Sequence, residues 1–194
     1  MDKLRERSDT SQQILDIAQG LVQTRGYNAF SYADIAEALK ITKASLHYHF
    51  PSKAELGHSL IERYMSRFRK RLDEIDASSC TPAEKLKSYV EIYARVLSDN
   101  RMCLCGMLAA GFQTLPKPMQ SALDQFFELN EHWLEKVLDE GRRHGALRFR
   151  ESSCELAQFL VASLEGAMML ARSHGSEQRF HTAAKRLLAE IGVS

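Results

Sequence analysis

The chain has 194 residues, 44% of them hydrophobic, and carries 26 Lys and Arg against 25 Asp and Glu, a formal net charge of +1. That length holds one large domain, or a small module joined to a bigger one, with enough apolar residues for a core. The charge balance excludes a protein that grips nucleic acid through bulk positive charge. A membrane span is not expected, because Ser163 and Glu165 interrupt the best apolar run, "FLVASLEGAMMLA", short of the ~20 residues a span needs.

The charge is nevertheless unevenly placed. Residues 1–71 hold 12 Lys and Arg against 8 Asp and Glu, hence +4, whereas residues 72–194 hold 14 against 17, hence −3. Any contact with nucleic acid must therefore use a small, placed surface. The opening "MDKLRERSDT" lacks the apolar stretch of an export signal, so a cytoplasmic location is expected. None of the four cysteines (Cys80, Cys103, Cys105 and Cys154) falls in a C-x-x-C pair, and reduced thiols are the expectation.

Helical patterns follow one another along the chain. Ile14, Ile17, Ala18, Leu21 and Val22 recur at i, i+3, i+4, i+7 and i+8, and Gly26 stands where a left-handed cap would end that helix. Ser31 and Asp34 form a capping box before Ile35 and Leu39, a helix of about two turns. Thr42 caps a second short helix that carries Leu46 and ends near Phe50, before Pro51. Ser52 and Glu55 open the next helix, with Leu56, Leu60, Tyr64, Phe68 and Leu72 on one face. Thr81, Pro82 and Glu84 repeat the device ahead of Leu86, Tyr89, Tyr93 and Leu97.

Beyond Asn100, "MCLCGMLAAGF" is apolar all round, which predicts a buried helix ended by Pro116 and Pro118. A long helix then runs through Leu123, Phe126, Trp133 and Leu138 toward Gly141 and Gly145. Ser152 and Glu155 cap another, carrying Leu156, Leu160 and Leu164, and "GSEQRF" precedes a last helix with Phe180, Leu187, Leu188 and Ile191. No segment reads as a strand.

Two short helices joined by Leu39-Lys40-Ile41 and packed on a longer first helix make a helix-turn-helix, whose second short helix enters the DNA major groove. Lys43, Ala44, Ser45, His47, Tyr48 and His49 are its exposed residues, and Lys53, starting the following helix, is placed to reach a phosphate. His47 and His49 have the wrong spacing for two metal ligands on one helical face, so no metal site is expected. Arg67, Arg69, Lys70 and Arg71 read as a solvated basic face.

The run from Ile14 to Leu56, "ILDIAQGLVQTRGYNAFSYADIAEALKITKASLHYHFPSKAEL", resembles the DNA-binding domain of TetR/AcrR-type transcriptional repressors. The shared pattern is a small residue, Gly-Val-Ser-Lys-Gly-Thr-Leu-Tyr, then a spaced Phe, Lys and Leu. By position, the resemblance implies that Ser31 binds a phosphate, that Thr42 caps the recognition helix, and that Lys43, Ala44 and Ser45 meet bases. Tyr48, His49 and Lys53 match positions that meet bases or phosphates. Two departures from the pattern matter: His47 replaces a usual Tyr, and Lys40 replaces a usual Gly in the turn, where Gly would be less strained.

The resemblance implies an all-α fold of about nine helices, with the DNA-binding domain over residues 1–52 and a ligand-binding and dimerisation domain over residues 53–194. Its last two helices would pair in a two-fold homodimer, with Leu156, Phe159, Ala162, Gly166, Met169 and Leu187 at the interface, facing a palindromic double-stranded operator. The soft, aromatic interior (Tyr64, Phe68, Tyr89, Tyr93, Met107, Phe112, Phe126, Trp133 and Met168, with Cys103) is the expected pocket for a small apolar or aromatic effector. No cofactor is expected. A variant reading makes Cys103 or Cys105, near Arg101, a thiol sensor of oxidants or electrophiles. No nucleophile–base pair or carboxylate pair suggests an enzyme, and a helical adaptor without DNA binding would not need Tyr48, His49 and Lys53 beside such a turn.

Overall fold

The structure, a computed structural model, describes residues 2–78 and 81–193, with side chains from residue 9 onward; Cys80 lies outside them. Among the described residues there are nine α-helices and no strand: α1 (Asp2–Arg25), α2 (Tyr32–Leu39), α3 (Lys43–His49), α4 (Lys53–Ala77), α5 (Pro82–Ser98), α6 (Leu104–Ala109), α7 (Lys117–Arg143), α8 (Ser153–Ser173) and α9 (Glu177–Glu190). Single turns of 3-10 helix lie at Tyr27–Ala29 and Phe112–Thr114.

The chain forms two compact units. The first contains residues up to 65 together with Leu104–Asp124, and the second contains Ser66–Cys103 with Gln125–Ser194. The division between the units falls inside α4, a 25-residue helix whose apolar stripe runs through Leu56, Leu60, Phe68 and Leu72. The first unit also takes back a later segment. Its helix α6 packs on α1, and α4 carries Gly57 where an added Cβ would meet Met119 Sδ at 2.6 Å, so a larger residue there would displace the end of the Met119 side chain.

In the first unit, α1 buries Ile14, Leu15, Ala18 and Val22, while Ile17 and Leu21 are only half-buried, so the stripe is turned slightly from its expected line. Gly26 has φ 90° and ψ 161°, which is not the left-handed cap expected there; it leads into the 3-10 turn. The Ser31–Asp34 capping box is present in both halves, and Thr42 Oγ1 accepts from the Ser45 N–H at 3.1 Å. Lys40 takes the left-handed conformation, φ 55° and ψ 38°, and its N–H closes on the carbonyls of Ala36 and Glu37. The turn thus keeps glycine's geometry without glycine.

The expected apolar helix after Asn100 is only six residues long, since the chain unwinds at Ala110 and Gly111 into a 3-10 turn. Pro118 stands in the first turn of α7, where the missing N–H costs nothing, rather than ending the helix before it. In the second unit, α5, α8 and α9 pack on one another. Capping boxes at Thr81–Glu84 and Ser152–Glu155 start α5 and α8, and the serine and threonine donors hold both glutamates below the usual carboxylate range. By length and composition α8 is long and apolar enough to cross a membrane, despite Ser163 and Glu165; it buries Leu156, Leu160, Leu164 and Met168 inside its unit.

Left-handed geometry at a residue with a Cβ costs about 1 kcal/mol relative to glycine. Lys40→Gly should therefore raise the urea midpoint of the intact protein by an amount worth ~1 kcal/mol, with an unchanged slope. An unchanged or lower midpoint would show that the turn is unstrained.

Candidate functional site

Helix α3 is seven residues long, too short to persist alone, and two buried contacts hold it. Leu46 is fully buried on its inner face. At its end, the Tyr32 hydroxyl donates to the Phe50 carbonyl at 2.7 Å in a buried bond, and burial, with the Glu55 charge adding to it, pushes that phenol up to about 12. The outer face is thereby turned to solvent: Lys43, Ala44, His47 and Tyr48 are exposed, with Ser45 and His49 half-buried. Tyr48 is 64% exposed, a large aromatic ring that the fold of the chain leaves uncovered.

Neighbouring groups fix these side chains. His47 lies 4.8 Å from the Tyr32 ring, and its Nδ1 is 3.1 Å from the Pro51 carbonyl. Tyr48 and His49 meet edge to face at 5.5 Å. Ser31 is exposed at the start of α2, and its hydroxyl donates to Asp34, holding that carboxyl below its usual range. Ser52 Oγ accepts from the Glu55 N–H and starts α4.

Lys53 is more committed than its expected role suggests. Its ammonium donates to the Phe30 carbonyl and lies over the rings of Tyr27 and Phe30, at 4.7 and 4.3 Å from their centroids. Burial pulls its pKa down, against the opposing pull of Asp34. Tyr27, whose hydroxyl donates to the Lys53 carbonyl at 3.0 Å, completes this clasp. Lys53 thus ties the start of α4 to the residue preceding Ser31.

The expected pocket residues divide between the units. Tyr64, Met107 and Phe112 belong to the first and are half-buried there. Phe68, Tyr89, Tyr93, Cys103, Phe126, Trp133 and Met168 belong to the second, and all are buried in its interior. Tyr89 stacks on Trp133 at 5.6 Å, and Phe68 meets both Tyr89 and Phe126 edge on. Within this interior the Tyr89 hydroxyl donates to Asn130 Oδ1 at 2.8 Å and lies 3.1 Å from the Tyr93 hydroxyl. Asn130 Nδ2 donates to the Phe126 carbonyl at 2.7 Å.

Sequence reasoning passes over one member of this interior, Glu165. Its Oε1 is sealed from solvent and has no hydrogen-bond partner. Burial pushes its carboxyl up to about 7, against the opposing effect of a hydrogen bond with Cys103. Its charge in turn raises the phenols of Tyr89 and Tyr93, although burial is the larger cause for both. A lone carboxylate inside "FLVASLEGAMMLA" is the available signal, and by itself it reads only as a break in a membrane-like run.

The expected interface residues separate by face. Leu156 is buried inside the unit, so it packs within the chain rather than outside it; it sits on the inward side of α8. Phe159 and Met169 are 57% and 52% exposed, Ala162 is exposed, and Gly166 and Leu187 are half-buried. Leu170, which the periodicity does not single out, is 59% exposed. This apolar face is flanked by two surface hollows. One, of about 860 Å³, is lined by Arg148, Phe149, Arg150, Leu156, Phe159 and Ile191 among others, and one of about 480 Å³ by Ala167, Leu170, Arg179, Ala183 and Arg186 among others. Cys103 and Cys105 are both buried and free of disulfides, whereas Cys154 is exposed. Among the described residues no cluster of His, Cys, Asp and Glu could hold a metal ion.

Residues 14–60 match the family profile described as "Bacterial regulatory proteins, tetR family", and residues 82–187 match that of the "Tetracyclin repressor-like, C-terminal domain". The chain is 26% identical over 164 residues to the HTH-type transcriptional repressor DhaR of Mycobacterium sp. (strain GP1), covering 84% of this chain and 82% of that protein. A TetR family transcriptional regulator from Agrobacterium tumefaciens has the same fold, with a TM-score of 0.92, 30% identity, and coverage of 95% of this chain and 98% of that one. A TetR transcriptional regulator from Legionella pneumophila superposes with a TM-score of 0.85 and 37% identity, covering 92% and 95%.

Glu165, half-buried with its Oε1 sealed from solvent, makes stability depend on pH with an unusual sign. Its folded carboxyl keeps its proton to about 7, whereas the unfolded one loses it near 4.5, so its contribution favours folding below 4.5, fades as pH rises, and is gone above about 7. The groups facing it are Cys103 and the phenols of Tyr89 and Tyr93, and burial keeps both phenols neutral through that window. Glu165→Gln should therefore gain stability over the wild type between pH 5 and 7.5, by on the order of 3 kcal/mol. Parallel pH profiles for the two proteins in denaturant titrations would refute this.

Proposed function

The chain belongs to the TetR family of bacterial regulatory proteins, and we propose that it acts as a homodimeric repressor whose two α3 helices read a palindromic operator. The exposed outer face of α3, held rigid by Leu46 and by the Tyr32–Phe50 bond, carries this reading. Tyr48, a largely exposed ring on that face, meets a base or phosphate, and Lys43, Ala44 and Ser45 approach base edges. Ser31, Thr42, His47 and His49 supply hydroxyl and imidazole groups around them. Lys53 contributes mainly by positioning, since its ammonium already closes the junction of Phe30 with α4. Half-sites would lie about one helical turn apart.

The dimer forms through the outer faces of α8 and α9. Phe159, Ala162, Gly166, Met169 and Leu170 give α8 an uncovered apolar stripe beside Leu187, and an added Cβ at Gly166 would meet nothing within 4 Å in the protomer. A small residue with open space above it suits close approach by a second helix. A small-molecule effector bound in the second unit favours a dimer geometry whose recognition helices no longer match successive grooves, which releases the operator by population shift. The burial of Cys103 and Cys105 supports a bound effector over an exposed thiol as the trigger.

Selection from random duplex DNA should yield a palindromic sequence, and Tyr48→Ala should bind it at least tenfold more weakly while keeping its helical circular dichroism. Enrichment of no sequence, with no salt-dependent binding, would overturn the repressor reading. Gly166→Leu should leave the protomer folded but convert the dimer to monomer in sedimentation equilibrium. Dimerisation of the Gly166→Leu variant with wild-type affinity would move the interface elsewhere.

A further inference from the structure

In the interior of the second unit the polar groups pair with one another. Tyr89 donates to Asn130 Oδ1, so in the tyrosine pair Tyr93 is the donor and Tyr89 the acceptor. Asn130 donates to the Phe126 carbonyl. Cys103 hydrogen-bonds the Glu165 carboxyl. Glu165 Oε1 is left sealed from water with no donor, and among the described residues Glu165 forms no ion pair. Buried polar atoms without partners are rare in folded proteins, and a buried carboxylate without a counter-charge is costlier still.

Its surroundings are suited to one kind of partner. The charge of Glu165 reaches Tyr93 and Tyr89, and Tyr89 stacks on Trp133, so the carboxylate adjoins a cluster of aromatic rings. Met168, one turn along α8, supplies a soft, unbranched wall. Aromatic faces attract cations, an apolar body is accommodated by the same rings, and the orphaned oxygen, ionised above about pH 7, is best matched by a charged N–H donor. An anionic effector would be repelled, and a neutral one would leave the carboxylate uncompensated.

We propose that Glu165 is the anchor of the effector site and that the effector is a protonated primary or secondary amine with an apolar or aromatic body, its N–H donating to Oε1 and its body lying among Tyr89, Tyr93, Trp133 and Met168. This rests on the effector-responsive reading above and specifies its chemistry. Trp133 is the chain's single tryptophan, so its fluorescence reports on the site directly.

The test is a fluorescence titration of the full-length protein with phenethylammonium at pH 8, alongside its neutral counterpart 2-phenylethanol and the anion phenylacetate. The expected result is saturable quenching or shift by the amine, at least tenfold weaker binding of the alcohol and the acid, and at least tenfold weaker amine binding by Glu165→Gln. That variant keeps the side chain's shape and removes only its charge, and its fold is checked by circular dichroism. Equal binding of alcohol and amine, undiminished binding by Glu165→Gln, or no response to the amine would each overturn the proposal. Operator selection, run separately on the same protein, distinguishes the two readings: failure of the amine site with an intact palindromic selection leaves the regulator standing.

Discussion

A seven-residue helix has almost no stability of its own, and everything proposed for the first unit depends on how α3 is held. The buried bond from the Tyr32 hydroxyl to the Phe50 carbonyl links the start of α2 to the end of α3, and Leu46 fastens the middle. Between them lies a turn in which Lys40 accepts left-handed geometry. With both ends and the inner face committed, the outer residues have nowhere to go but solvent. The exposure of Tyr48 is therefore a consequence of the packing beneath it, which lowers the entropy lost when such a ring meets a partner.

The clasp around Lys53 extends this rigidity to α4. An ammonium closing on a backbone carbonyl and lying against the Tyr27 and Phe30 rings is a short tether between the residue before Ser31 and the first turn of the next helix. The family pattern puts this lysine at a phosphate, and its type at that position is explained at least as well by this internal work. A long basic side chain whose stem crosses two rings serves packing as well as charge.

In the second unit the governing feature is incompleteness. A three-member polar chain, Tyr93 to Tyr89 to Asn130, satisfies itself within an aromatic core, while Glu165 beside it does not. Satisfied networks rigidify a core, and an unsatisfied member marks a place where the isolated chain is not at its energetic optimum. The outer side of the same helix is incomplete in another sense, since Phe159, Met169 and Leu170 show apolar surface to water. One helix thus carries a packed face, an uncovered face and an uncompensated charge.

The helical class, the capping residues and the helix-turn-helix are legible in the residues alone, because these depend on local rules: the i, i+3, i+4 recurrence of apolar residues, side-chain oxygens at helix starts, and the spacing of two short helices. Ser31, Thr42, Thr81 and Ser152 all cap as their local sequence dictates. Packing in three dimensions settles what depends on which side of a helix meets which neighbour. It turns Leu156 inward and Phe159 outward on one apolar helix, carries the division between units into α4, brings the segment after Cys103 back to the first unit, and draws Lys53 into a clasp. It also seals Glu165 Oε1 from solvent without a donor, which no periodicity reveals, since solvation and hydrogen bonding are settled by atoms distant in the chain.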